Sequence, residues 1–558
     1  MEDSESLPLE QAPRASIEYL PSELTGAILS QLSNRDIKSL RLTSRKVRDI
    51  AGPYFRLDRV FLSANPRNVE VFTAVANHDM FRWGVYEIIW DDARLMKSPE
   101  MQDPDTLEMD EEDLVYRFEM MGSPRPRGCP PWYAWVCNEN VGLLKRRKGN
   151  DVDSRPEHVT RAKQLASLLP LKESYAHYED LLRQQDEVLS SGADTVALED
   201  AFRRECFPNL CRITITPVAH GFLFTPLYET PMIRSLPYGF NYMIPRSWPV
   251  PKALESPSTW LWVDETIKSR WRGFRIVTQL LAHNPGANVT EIVIETKGLR
   301  TGLPCYIFDD RKPCKEYDDL MTLLRHPGFA RLDLALMVGG QEVHNWSCFR
   351  NGRLRHALKT ELQHFSFQTD VEPNPDMRMD ALGTGGSLDH FTPLLTIFPV
   401  ETWTRLRHFG LSRFLVKQND LLDFLRLLPD TLQSVELSLL YFLKDGGGHR
   451  GLLAGMRNDL GWRRRAIKPR VAMGYDISRG ICVERAVWLD EEVRGFLYGD
   501  GENPFATDEN GGNSINPGIG IVRDSFEPEH ERPYVKPEVL VEMGIIKEQA
   551  SRMARGWH

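Results

Sequence analysis

The feature that most constrains this chain is a short phrase that keeps returning: an apolar residue, two others, an apolar residue, one other, an apolar residue. It reads Leu57-x-x-Val60-x-Leu62, Val85-x-x-Ile88-x-Trp90, Leu210-x-x-Ile213-x-Ile215 and Val289-x-x-Ile292-x-Ile294. It continues as Phe329-x-x-Leu332-x-Leu334, Leu362-x-x-Phe365-x-Phe367, Leu406-x-x-Phe409-x-Leu411 and Leu432-x-x-Val435-x-Leu437. The alternating end of the phrase predicts a strand, because successive strand side chains point to opposite faces. Several copies share a lead-in. Helically spaced apolar residues (Phe274, Val277, Leu281; Leu320, Leu323, Leu324; Leu421, Leu425, Leu428) run up to Pro285, Pro327 and Pro429, and Phe207-Pro208 precedes Leu210. Proline stops a helix because it cannot donate to the ladder and clashes with the preceding turn. The unit is therefore helix, proline stop, short strand, and stacked units bury one another's apolar faces as parallel strands backed by helices.

From Leu57 the steps between copies are 28, 125, 79, 40, 33, 44 and 26 residues, so the units are irregular and carry insertions. The longest step places an insertion at about 91–204, with helical spacing through Leu165, Leu168, Leu169, Leu181, Leu182 and Val188. Thr216 to Pro257 is rich in proline and aromatics and is expected to be an ordered loop packed on the strand–helix units, since wet aromatics are costly. Val371 to Ser387 reads as an exposed loop, and the tail after Gly499 as irregular structure with a short helix from Lys536 onward.

The 558 residues are 41% hydrophobic and 26% charged, an ordinary globular balance. Sixty-nine basic against 78 acidic side chains leave a net charge of −9, a poor surface for sequence-blind nucleic-acid binding. Eight cysteines fit a reducing compartment rather than a disulfide scaffold. The opening MEDSESLPLE lacks a signal-peptide core, and the uncharged run Ile213 to Tyr228 is too short and proline-broken to span a bilayer. The expectation is a soluble protein of the cytoplasm and/or nucleus, with no nucleic-acid or membrane partner. No catalytic constellation stands out. Gly383-Thr384-Gly385-Gly386 lacks the Lys-Ser/Thr of a phosphate loop, and Gly446-Gly447-Gly448 reads as a turn. The pairs Cys206/Cys211, Cys305/Cys314, Cys129/Cys137 and His344/Cys348 do not combine into a zinc pattern. No enzyme, cofactor or metal is expected. Lys145-Arg146-Arg147-Lys148 and Arg463-Arg464-Arg465 read as solvated loops, with nuclear import or anion binding as the alternatives.

Residues 1–15 are polar and expected to be disordered. From Ile17 the pattern changes. Leu20-Pro21-Ser22-Glu23 reads as a helix start, with Leu24, Ile28 and Leu32 in one stripe. Ser33 and Asp36 form a capping-box-like pair before Ile37 and Leu40, and Ser44 opens a third helix bearing Val47, Ile50 and Ala51. Three short amphipathic helices bury little alone and need a neighbour or a partner.

The string LPSELTGAILSQLSNRDIKSLRLTSRKVRDIA resembles an F-box, and the recurring phrase is similar to the strand portion of leucine-rich repeats. Leu20, Pro21, Glu23, Leu24, Ile28, Leu32, Asp36, Ile37, Leu40, Ser44, Arg45 and Val47 match the F-box pattern, which often adds a third-helix Trp that Val47 to Ala51 lacks. The resemblance implies an α/β chain. Residues 16–56 would be a three-helix F-box, 57–498 an irregular leucine-rich-repeat solenoid, and 499–558 a C-terminal extension. It implies the non-catalytic substrate-recognition subunit of an SCF-type cullin–RING ubiquitin ligase. Its F-box would bind a Skp-type adaptor, and through it a cullin, while the repeats hold a protein target. The implied adaptor face is Leu20, Pro21, Leu24, Ile28, Leu32, Ile37, Leu40 and Val47, some of which must instead pack inside the module. The alternative is a repeat scaffold that recruits no ligase. Arg353 and Arg355 are candidates for reading a phosphorylated target.

Overall fold

The computed structural model describes residues 17–97, 128–148, 156–249, 262, 264–339, 346–371, 390–443, 446–476, 485–507, 513–536, 539 and 542. The expected loop at 371–387 and the helix from Lys536 lie almost wholly outside them.

The chain opens with α1 (Ser22–Leu29), α2 (Asn34–Arg41) and α3 (Arg45–Ala51). Their ends are set by the residues that the sequence marks. Ser33 Oγ accepts from the Asp36 amide at 3.2 Å and donates to the Asp36 carboxylate at 2.6 Å. Ser44 Oγ accepts from the Val47 amide at 3.1 Å. Each bond satisfies a helix-end group that no intrahelical partner reaches. Leu29, Ile37 and Ala51 form a small core of their own, with Ile17, Leu32, Leu40, Ile50, Tyr54 and Phe55 packed around it. Phe55 then meets Phe81 of the main body edge-on, at 5.8 Å between ring centres.

All eight recurring phrases become strands of one sheet, in chain order. They are β1 (Arg59–Ser63), β2 (Glu87–Asp91), β3 (Arg212–Thr216), β4 (Glu291–Ile294), β5 (Arg331–Met337), β6 (His364–Thr369), β7 (His408–Ser412) and β8 (Ser434–Ser438). A ninth parallel strand, β9 (Arg470–Asp476), pairs with β8. It lacks the leading apolar residue, because Lys468 stands in that place, and so escapes the phrase. The pairing runs without slip: Val60, Ile88, Ile213, Ile292, Leu332, Phe365, Phe409, Val435 and Val471 sit side by side in one buried column.

Parallel neighbours need long crossovers, and here these are mostly helical. α4 (Pro66–Ala76) comes after β1, and β2 leads into an insertion of α5 (Pro131–Lys148), α6 (Pro156–Ala166), α7 (Leu171–Ser191) and α8 (Ala193–Arg203). Beyond β3 come α9 (Arg272–Ala282) and α10 (Lys315–Leu324), then α11 (Gln418–Arg426) before β8 and α12 (His449–Asp459) before β9. α8, α9, α10 and α11 each end a few residues before Pro208, Pro285, Pro327 and Pro429, as the lead-in predicts.

Two expectations need correction. The 216–257 stretch is ordered over its described residues and packs only in part on the strand–helix units: Trp248 joins their core and Tyr228 lies against Phe61 of β1, while Leu223, Phe240, Tyr242 and Met243 enter a second core with Tyr133 and Tyr178 of the insertion helices. An insertion that size needs a core of its own, and the aromatic loop supplies four of its ten buried residues. The tail is also more regular than expected. After β10 (Arg485–Trp488) and α13 (Asp490–Tyr498), β11 (Ile521–Asp524) and β12 (Glu527–Pro533) extend the sheet antiparallel. Glu527–Pro533 carries no apolar alternation, so only pairing with β11 makes it a strand.

Gly273 at the start of α9 lies against Trp90 of β2, where an added Cβ would overlap the indole ring. Gly273→Ala is expected to lower stability by about 1–3 kcal/mol by urea unfolding. Gly495→Ala, in open space on α13, is expected to raise it by up to about 1 kcal/mol.

Candidate functional site

The strand residues that point away from the backing helices form rows. The first runs Arg59, Glu87, Arg212, Glu291, Arg331, His364, His408 and Ser434 across neighbouring strands. Opposite charges alternate at its start. Arg59 Nε lies 3.5 Å from Glu87, and Arg212 Nε donates to Glu291 at 2.6 Å. Arg331 grips Asp333 with Nε at 3.2 Å and Nη2 at 2.5 Å. His364 Nε2 reaches the same carboxylate at 3.0 Å and stacks on His408 at 4.1 Å, and His408 Nδ1 meets Ser434 Oγ at 2.7 Å. The row is a line of short pairings over the face of the sheet.

This face is a groove of about 510 Å³. Arg59 and Glu87 from the first strands line it together with Arg485, Trp488 and Ser525 from the last, so the sheet curls until its ends share one space. Three lining residues leave their strands at positive φ: Lys297 at 49°, Arg413 at 51° and Leu439 at 53°. Such turns strain a side-chain-bearing residue and persist where surrounding structure holds them. Here the Arg413 amide donates to the Ser438 carbonyl at 3.1 Å and the Leu439 amide to that of Gly474 at 2.8 Å.

Burial works against the charge of Asp333, yet the bonds from His364 and Arg331 hold its pKa below the ordinary carboxylate range. Burial, then the neighbouring His364, pushes His408 down to about 4. Burial, then the carboxylates Asp490 and Asp333, raises Glu436. Elsewhere, His220 Nδ1 lies 2.8 Å from the Tyr242 hydroxyl and its Nε2 3.8 Å from Asp91, all buried; burial raises Asp91 to about 8 and lowers His220 to about 3. None of these three side chains lines the groove.

The tail borders the groove at Ser525 and is clasped to the insertion helices. Arg147 of α5 pairs with Asp524 at 3.0 Å and Glu527 at 3.4 Å, and Arg161 of α6 donates to Glu527 at 2.6 Å. Phe526 is buried among Val218, Leu299, Phe222 and Leu227, its ring 4.6 Å from that of Phe222. The basic cluster at 145–148 is therefore not a uniformly solvated loop, because Arg147 is consumed in this clasp. Arg465 likewise turns inward, donating to the carbonyls of Leu428 and Pro429 at 3.2 Å.

The structure sorts the eight residues of the implied adaptor face. Leu20, Pro21, Leu24 and Ile28 are exposed, the three other than proline at 39%, 54% and 44%. Tyr19 and Leu42 are exposed as well. Leu32 and Leu40 are half-buried against the module's core. Ile37 and Val47 are the members of the set that pack inside: both are buried and offer no outer surface.

Arg353 and Arg355 lie away from the groove. Arg353 donates to the Asp309 carbonyl at 2.7 Å and covers the Tyr317 ring, while Arg355 binds the Phe398 carbonyl at 2.8 Å and Glu401 at 2.6 Å. They tie one backing segment to the next. Among the described residues no His, Cys, Asp and Glu gather in a group that could hold a metal, and no helix is long and apolar enough to cross a membrane. The groove itself escapes sequence reasoning, since its residues occupy the unspecified positions of the phrase. Neither a scan of protein-family models nor a search of curated proteins finds a match to this chain.

The lowered His408 pKa has a definite sign. Its folded value of about 4 lies below the unfolded value of about 6.5, so the unfolded chain takes up the proton first as pH falls. Its contribution is complete above about pH 6.5 and declines toward pH 4. The stability of the parent relative to His408→Asn is expected to fall between pH 7 and pH 4.5 in paired urea titrations. Phe526→Ala is expected to cost about 3 kcal/mol or more at the clasp and to speed proteolysis of the tail under native conditions.

Proposed function

We propose that this chain is the substrate-recognition subunit of an SCF-type cullin–RING ubiquitin ligase, with residues 16–56 as an F-box and the strand–helix body as a degenerate leucine-rich-repeat domain. What carries the reading is the outer stripe of α1. Leu20, Leu24 and Ile28 stay exposed although the module has a core without them. A contiguous apolar stripe on so small a unit is a docking surface, and helices of a Skp-type adaptor are its natural cover. Ile37 and Val47 support that face from within, and Phe55 against Phe81 holds the module to the body.

The chain performs no chemistry in this reading. It fixes a target's lysine near a charged ubiquitin carrier and so raises their effective concentration. A rigid link between module and body serves that task better than a flexible one. The groove is where the target is held, in the cytoplasm and/or nucleus.

The test is co-purification of the adaptor and cullin with the full chain. Leu20→Ala with Pro21→Ala, and separately Leu24→Asp with Ile28→Asp, are expected to abolish it while the thermal unfolding midpoint of the body is unchanged. Undiminished recovery from both double variants would leave an interaction scaffold that recruits no ligase.

A further inference from the structure

The cations around the far half of the groove are already matched. Asp333 holds Arg331, Glu295 holds Lys297 at 3.1 Å, Asp524 holds Arg485 at 2.9 Å and Asp490 holds Arg470 at 3.0 Å. Glu436 is different. It stands on β8 between Gly410 and Ala472 of the adjoining strands, lines the groove, and joins no hydrogen bond or ion pair among the described residues. A half-buried carboxylate without a donor bears a desolvation cost that an incoming cation would remove. Its raised pKa agrees: burial, Asp490 and Asp333 outweigh the pull of Arg470 and Lys297.

The floor beside it is built from small residues. Ser366 and Gly410 continue its row, while Ser412, Ser438 and Gly474 lie in the next. An added Cβ at Gly410 would come within 2.7 Å of Ser366 Oγ, so the glycine keeps the floor low beside that serine. Small side chains on adjacent strands leave room for one long guest side chain. A groove of about 510 Å³ has room for an extended segment.

We propose that the groove binds an extended peptide segment of its target through a lysine or arginine side chain, which lies over the Ser366–Gly410–Ser438 floor and pairs with Glu436. This rests on the receptor reading above and names the chemistry of the target. An acidic side chain in the same place would face the Glu436 carboxylate and is disfavoured by like charge.

The experiment uses the purified full chain and degenerate fluorescent heptapeptide libraries whose central residue is fixed as Lys, Arg, Gln or Glu. Fluorescence polarisation reads binding. The Lys and Arg sets are expected to bind about tenfold or more tightly than the Gln set, with the Glu set weakest. Glu436→Gln is expected to erase that advantage and Glu436→Lys to reverse it in favour of Glu, with unfolding midpoints and adaptor co-purification retained by both. Equal binding of all sets, absence of binding, or a basic preference that survives both substitutions would overturn the proposal. Those outcomes with adaptor binding intact remove only the basic-segment assignment. Loss of adaptor binding in the parent chain, with the basic preference present, removes only the ligase assignment.

Discussion

Nine parallel strands pair from β1 to β9 with the column that begins at Val60 and ends at Val471 kept in line, and a second column from Leu62 to Met473 beside it. A slip of one residue at any pair would turn that strand's apolar set toward the groove and its charged set into the core. The register therefore fixes both faces together. Behind the sheet it sets the positions that the helices must cover. In front of it, the same register lines up Arg59 with Glu87, Arg212 with Glu291 and His364 with His408. The charged rows are a consequence of the buried columns, one residue out of phase.

A curled sheet of this kind ends in two edges, and the C-terminal strands manage the second. β10, β11 and β12 reverse direction, and the turn between the last two reaches the insertion helices. The contacts join residues 366 positions apart, so they form only when the whole arc is in place. Asp524 is fully buried and is held by both Arg147 and Arg485. Removing either arginine would leave a buried charge short of a partner, which is far costlier than losing a surface pair. The clasp fixes the last strands, whose Arg485, Trp488 and Ser525 line the groove together with Arg59 and Glu87 of the first.

Legibility in the sequence tracked the strength of local patterning. The eight phrases, the proline stops and the caps at Ser33 and Ser44 are all local, and each has the structure that its chemistry dictates. β9 was hidden by Lys468, a long side chain whose charged end can reach water from an apolar position. β12 was hidden because a strand made of Glu, Pro, His and Arg exists only by pairing. The aromatic loop was recognisable as ordered, but not what it packs against, since aromatics announce burial and not the identity of the neighbour. The eight residues of the N-terminal stripe split into exposed and buried sets because three helices of about two turns can be rotated about their axes without changing the pattern, until Leu29 and Ala51 meet.

The amino-acid sequence alone determined a chain of helix–strand units behind a three-helix module, because period and proline position act within a few residues. Only the tertiary structure decided that Leu24 faces out while Ile37 faces in, that Arg147 is a clasp rather than free charge, and that Glu436 looks into a groove without a partner among the described residues. Those are properties of distance between residues far apart in the chain, and distance is set by packing, not by pattern.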